Sequence, residues 1–137
     1  MYEKILGVFV LAAMLAVPAM ASAADPLPDG FIALSESEMN WADAKAWCEE
    51  KGGRLPLVGG SESLGKADKG TPIDGFGAVD GPWPKGLPSR GGVRYWAGTA
   101  NADIPGLSFI INDLAGIVRA LSVGKHDELR RVVCVPK

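Results

Sequence analysis

Residues Ile5 to Val17 form an unbroken apolar run, and beyond it the hydrophobic pattern breaks into periodic segments. After the proline-bearing lead-in from Asp25 to Gly30, Phe31-Ile32-Ala33-Leu34 reads as a short strand. Trp41, Ala44, Trp47 and Cys48 then recur at the spacing of one helical stripe, while Asp43, Lys45, Glu49 and Glu50 lie mostly off it. Asn40 predicts the N-cap, Asp43 stands at the third helical position as a short capping-box acid, and Gly52 supplies a left-handed stop. The predicted helix packs through two tryptophans and one thiol.

Beyond Pro56 the texture changes. Ser61 to Lys66 predicts a brief second helix with Leu64 turned inward. From Gly59 to Gly92 the chain carries ten glycines and four prolines, which argues against regular elements of any length. Ile73, Phe76, Val79, Trp83 and Leu87 nevertheless recur through it. Apolar residues at that frequency argue for an ordered loop lying on the core rather than a linker.

Arg94 to Thr99 resumes strand character, with Tyr95 and Trp96 on opposite faces. Ala100 to Gly106 is a second loop. Ser108 to Asn112 and Ile117 to Leu121 flank Asp113-Leu114-Ala115-Gly116, a hairpin signal with glycine at a positive-φ position. Lys125 to Glu128 is a polar turn, Leu129 to Val135 a closing strand, and Pro136 its end. The order is strand, helix, long loop, then an antiparallel meander, an α+β arrangement.

The apolar run has the marks of an export leader: Lys4 precedes it, Pro18 follows it, and small residues occupy positions 19 to 24. It is short for a membrane span. The expectation is a signal peptide over residues 1–23, with Ala21 or Ala24 as alternative cleavage positions and an uncleaved anchor as the competing reading. No cysteine follows the run, which argues against lipoprotein processing. A mature domain of residues 24–137 suffices for one core and is too short for two. Export places it in the periplasm, outside the cell or on its surface. The net charge of -2 shows no basic stripe of the kind that marks nucleic-acid binding, and no amphipathic basic helix marks a membrane surface.

Cys48 and Cys134 are the only cysteines. In an oxidising compartment an even pair predicts one disulfide, here between the first helix and the last strand. It closes a ring of about 87 residues, worth about 4.6 kcal/mol in the chain-entropy model. A metal pair or a redox pair is the alternative, but the separation and the single His126 lack the local spacing of either.

Several anchors together resemble the bacterial C-type-lectin-like domains. They are Asn40-Trp41 with Ala44, Trp47-Cys48, Gly52 to Pro56, Tyr95 to Thr99, and Val132 to Val135. The resemblance is nearest to the domain-of-unknown-function group that includes the C-terminal domain of a bacterial collagen-like adhesin. It implies a C-type-lectin-like fold, with one or two helices against a small antiparallel sheet and a long irregular loop region. The helix-to-last-strand cysteine link is similar to the long disulfide of animal C-type lectins. Calcium-dependent lectins of that kind carry Glu-Pro-Asn or Gln-Pro-Asp in the long loop and Trp-Asn-Asp in a following strand. Neither tripeptide is here. Ile111-Asn112-Asp113 sits at a hairpin entry, where Asn and Asp are ordinary turn residues. Asp68, Asp74, Asp80 and Asp103 lack the spacing of a calcium loop, so no metal or other cofactor is expected. The fold also resembles that of formylglycine-generating enzymes, which need a reactive cysteine pair; here both cysteines are assigned to the tether.

For catalysis the residues offer no nucleophile with a base: His126 stands alone in a charged turn, and no serine lies in a Gly-x-Ser-x-Gly context. The expected role is binding, through loops held by rigid elements. Trp83, framed by Pro82 and Pro84, either stacks on a sugar or partner or forms satellite core beneath the loop. Arg90 and Arg94 are planar forks for carboxylate or sulfate, and Asn101 and Asp103 complete the candidate ligand set. Trp41, Trp47 and Trp96 are assigned to the core. The expected partner is a glycan or an envelope or surface protein, without nucleic acid. A structural subunit of an envelope assembly is the alternative.

Overall fold

The computed structural model describes residues 26–137; the predicted leader lies outside them. Strand β1 (Ala33–Leu34) precedes helix α1 (Trp41–Glu50). Four two-residue strands follow: β2 (Gly53–Arg54), β3 (Ser63–Leu64), β4 (Pro72–Ile73) and β5 (Gly77–Ala78). The longer strands are β6 (Arg94–Asn101), β7 (Leu107–Leu114) and β8 (Ile117–Lys125), and β9 (Val133–Pro136) closes the chain. They form a three-stranded sheet β1-β9-β2, a four-stranded sheet β3-β6-β7-β8 and the β4-β5 hairpin. The result is a small sheet-rich α+β domain with one helix among the described residues. No helix there is long and apolar enough to cross a membrane.

The helix forms as its caps dictate. The Asn40 side chain accepts from the Asp43 amide at 2.8 Å, and Gly52, at φ +84°, donates to the Glu49 carbonyl beyond the last turn. Its inner face is narrower than the periodicity suggests: Ala44 and Cys48 are buried, while Trp41 and Trp47 are half-buried. Two small side chains let the backbone approach the sheet closely, so the indoles spread over the margin. There Lys45 and Lys51 lie 4.2 and 5.1 Å from the Trp41 and Trp47 rings. Of the three tryptophans assigned to the core, Trp96 alone is wholly enclosed.

Tyr95 and Trp96 point to opposite faces of β6, and each organises one half of the core. Trp96, Ile110, Val132, Leu55 and Cys134 meet Ala44 and Cys48 beneath the helix. Tyr95, Phe109, Ile111 and Val118 meet Phe31, Val58, Ile73, Phe76, Val79 and Leu87 beneath the long loop. The loop is therefore ordered on the core. Its residues 80 to 83 run along β8: the Asp80 amide donates to the Val118 carbonyl, Val118 to Gly81, and Trp83 to Gly116.

Sulfur ties the helix-side half together. Cys48 and Cys134 form a disulfide with a Cα separation of 5.5 Å. Cys134 lies in β9, which pairs with β1 on one side and β2 on the other, so the tether holds α1 to the strand that unites both ends of the domain.

Three predicted elements differ from the structure. Ser61 to Lys66 is not a helix, because the outer edge of β6 takes its backbone instead. The Ala100 amide donates to Glu62 and the Ala102 amide to Leu64, and β3 runs parallel to β6. The Ser61 hydroxyl adds a local bond to the Ser63 carbonyl that competes with helical pairing. The sheet is accordingly mixed rather than purely antiparallel, although Leu64 does turn toward the core. Strand β1 is shorter than Phe31 to Leu34, and the closing strand starts at Val133 rather than Leu129. Arg130 and Arg131 make only single bridges, to Met39 and Tyr95. The β7-β8 hairpin forms where its turn signal lies, with Ala115 and Gly116 at φ +52° and +91° and the Asp113 carboxylate accepting from the Gly116 amide.

Candidate functional site

Trp83 rests on the loop-side core. Its ring centroid lies 5.3 Å from Phe76 and 6.1 Å from Tyr95, and its indole N–H donates to the Leu87 carbonyl at 2.9 Å. It is half-buried, so it serves as loop core with one margin left to solvent. The Tyr95 hydroxyl pins the same loop by donating to the Pro88 carbonyl at 2.6 Å. Burial pushes the Tyr95 pKa up to about 12, against the pull of the Arg131 charge. On this anchored segment Arg90 is exposed, and with Leu87, Pro88, Val93 and Arg131 it lines a shallow groove.

The five candidate ligand residues do not converge. Arg94 opens β6 and Asn101 ends it, so the two are separated by roughly 23 Å along the strand. Asn101 is occupied at its own end, where its carbonyl oxygen accepts from the Asp103 and Ile104 amides and its NH2 reaches the Ser122 hydroxyl. Asp103 is exposed in that same turn, next to Gly65. Asn101 therefore shapes a turn, and Arg90 and Arg94 belong to the opposite end of the sheet.

That opposite end holds residues the linear reading did not group. Arg94 pairs in register with Asn112, and Asn112 with Arg119. Alternation places all three on the face that carries Trp96 and Ile110. Arg131 lies beside Tyr95, its amide donating to the Arg94 carbonyl. Arg130 therefore falls next to Arg94, on the side of Val132 and Trp96. Five of the six arginines thus gather at one end, and the sixth, Arg54, is paired with Asp74. Only two carboxylates make ion pairs in the cluster among the described residues: Asp80 with Arg119 at 3.6 Å, and Glu128 with Arg130 at 2.9 Å. In sequence these arginines are spread over 42 positions, and the signal that could have joined them is the strand alternation through Arg119 together with the pairing of β7 to β6.

His126 is not simply a solvated turn residue. Its ring stacks on Trp41 at 4.1 Å with planes 11° apart, and Nε2 shares a hydrogen bond with the Ser108 hydroxyl at 2.7 Å. Burial lowers its pKa below 6.5, opposed by a hydrogen bond to the Leu107 backbone. The spacing is that of a base and a hydroxyl nucleophile. Ser108, however, is wholly enclosed on β7, with no surface open to a substrate. The pair locks the start of β7 to the turn after β8.

A second cleft, of about 330 Å³, lies between α1 and the sheet and is lined by Lys45, Glu49, Arg54, Leu55, Glu62 and Lys137 among others. Its charges are mixed and hold neither a nucleophile nor a histidine. Among the described residues no three histidine, cysteine or acidic side chains converge as a metal site. Comparison of the chain with family models, with curated proteins and with solved structures finds no match.

Proposed function

We propose that this chain is an exported, non-catalytic binding module of C-type-lectin-like organisation that contacts its ligand without calcium. The organisation is supported by the order of elements, by the disulfide from the first helix to the last strand, and by a long irregular loop folded over the sheet. The non-catalytic reading is supported by the chemistry in place. Both cysteines are bonded to each other, which removes the thiols a formylglycine-generating reaction would use, and the one Ser–His pair is enclosed.

The observation that carries the binding role is an anchored loop set beside unneutralised guanidiniums. Tyr95 and Trp83 fix residues 83 to 88, and the segment then presents Arg90 next to Arg131. Rigid cationic forks on a fixed scaffold suit a glycan or protein surface bearing carboxylate or sulfate. A structural role in an envelope assembly is favoured by one feature, the exposed Leu121 and Val123 on strand β8 at the sheet margin.

A glycan array including sulfated and uronic-acid polysaccharides, probed with and without a chelator, tests the proposal. Saccharide binding that persists in chelator and falls with Arg90→Ala is the expected result. Binding abolished by chelator, or no saccharide binding together with copurification of an envelope protein, would overturn it.

A further inference from the structure

The face of the sheet that carries Trp96 ends in a feature distinct from the loop groove. Reading across the strands at that end, the row runs Arg130, Arg94, Asn112, Arg119. Adjacent strands stand about 4.8 Å apart, so Arg94 and Arg119 are separated by about 10 Å with an amide between them. Leu114 lies two residues beyond Asn112 and Leu121 two residues beyond Arg119 on this face, and both are exposed, at 51% and 44%. The row is therefore a flat strip of cationic forks and one amide, bordered by aliphatic side chains.

We propose that this strip recognises a linear acidic polysaccharide, with Arg94 and Arg119 each holding a carboxylate or sulfate group and the sugar rings lying across the strip. The inference rests on the binding reading above and specifies its ligand. Three observations carry it. Charge comes first: three arginines share this face, and although Arg119 pairs with Asp80 and Arg130 with Glu128, Arg94 has no carboxylate partner among the described residues, so the row keeps a positive excess in a chain whose net charge is -2. Geometry is second, because two forks about 10 Å apart match anionic groups carried on alternate rings of a sugar chain. The third is the amide. The Asn112 carbonyl oxygen is buried without a hydrogen-bond partner among the described residues. A hydroxyl-bearing ligand seated on the strip supplies the donor that this acceptor lacks. A phosphodiester backbone has anionic oxygens but far fewer hydroxyl donors, and the acidic remainder of the surface opposes a long nucleic-acid track. The exposed leucines add apolar contact for the less polar faces of the rings.

The test uses the purified full chain with four immobilised probes: polygalacturonate, dextran sulfate, neutral dextran and a DNA duplex. Binding is measured at about 50 mM and about 200 mM salt. The expected result is binding to one or both acidic polysaccharides and not to neutral dextran, weakening as salt rises. Arg94→Ala and Arg119→Ala should each reduce affinity roughly tenfold or more. Arg94→Lys should recover only part of the loss, because an ammonium retains the charge and lacks the fork. Lys66→Ala, on the exposed loop beside β3, should have no effect. Arg94 is exposed, so its variants fold, and circular dichroism checks Arg119→Ala. Binding to neutral sugars that ignores Arg94 and Arg119 would overturn this inference and leave the binding module standing. Equal, Arg94-dependent binding to DNA would replace the polysaccharide with nucleic acid. No binding to any saccharide here or on the array would remove both.

Discussion

Replacing both cysteines, Cys48→Ala with Cys134→Ala, should lower stability by several kcal/mol while leaving the native fold in place at low temperature. The tether spans a sequence separation of 86, and both residues are fully buried. In the chain-entropy model a ring of that size contributes about 4.6 kcal/mol by restricting the unfolded chain, whereas measured bridges more often give about 2–4 kcal/mol. The double variant also loses two buried sulfur atoms from the packing against Ala44 and Val132, so a total of about 3–5 kcal/mol is expected. For a domain of this size each kcal/mol shifts the melting temperature by roughly 4 °C, which puts the decrease near 12–20 °C. Differential scanning calorimetry measures the shift, and intact mass of the unreduced protein verifies the bond in the parent. Because the main effect resides in the unfolded ensemble, the fluorescence of enclosed Trp96 should be unchanged in the cold. A melting temperature lowered by less than about 4 °C would refute the reasoning, as would two free thiols in the parent.

Gly124→Ala should cost about 1–3 kcal/mol by overpacking. The added Cβ would stand 2.6 Å from Trp96 Cζ3 and 2.8 Å from Ile110 Cγ2, and both neighbours are enclosed; an unchanged urea midpoint would contradict this. His126 has a depressed folded pKa, so its contribution to stability is present above 6.5 and lost as pH falls through the folded value. Urea midpoints taken from about pH 8 down to about pH 5 should therefore decline, and His126→Phe should flatten that limb. Tyr95 behaves oppositely: its folded pKa near 12 exceeds 10.0, so its contribution is intact below 10 and disappears as pH rises through 12. Tyr95→Phe should abolish that alkaline loss and, by freeing the Pro88 carbonyl, cost about 1 kcal/mol at neutral pH.

Local signals are legible wherever the deciding interaction spans a few residues. Asn40, Asp43 and Gly52 determine where α1 begins and ends, since the groups they satisfy belong to the same turn. Ala115-Gly116 determines the β7-β8 turn through positive φ. Alternation separates Tyr95 from Trp96, and the recurrent apolar residues from Ile73 to Leu87 mark a loop that lies on the core. Cysteine parity, together with the expected export leader, points to the tether that the structure shows.

Other features depend on what a distant strand supplies. Ser61 to Lys66 reads locally as a brief helix, but the outer edge of β6 offers amide donors that those carbonyls satisfy, and pairing outweighs weak local preference. His126 is a turn residue in sequence and a stacked, hydrogen-bonded clamp in space, because Trp41 and Ser108 arrive from α1 and β7. The arginine strip is the plainest case. Each arginine alone reads as an ordinary surface charge, and the register of β6 on β7 and β7 on β8, with the closing segment beside β6, aligns them on one face. Periodicity along one strand tells which side a residue faces; which residues share that side across strands is settled by pairing, and pairing is a property of the assembled sheet.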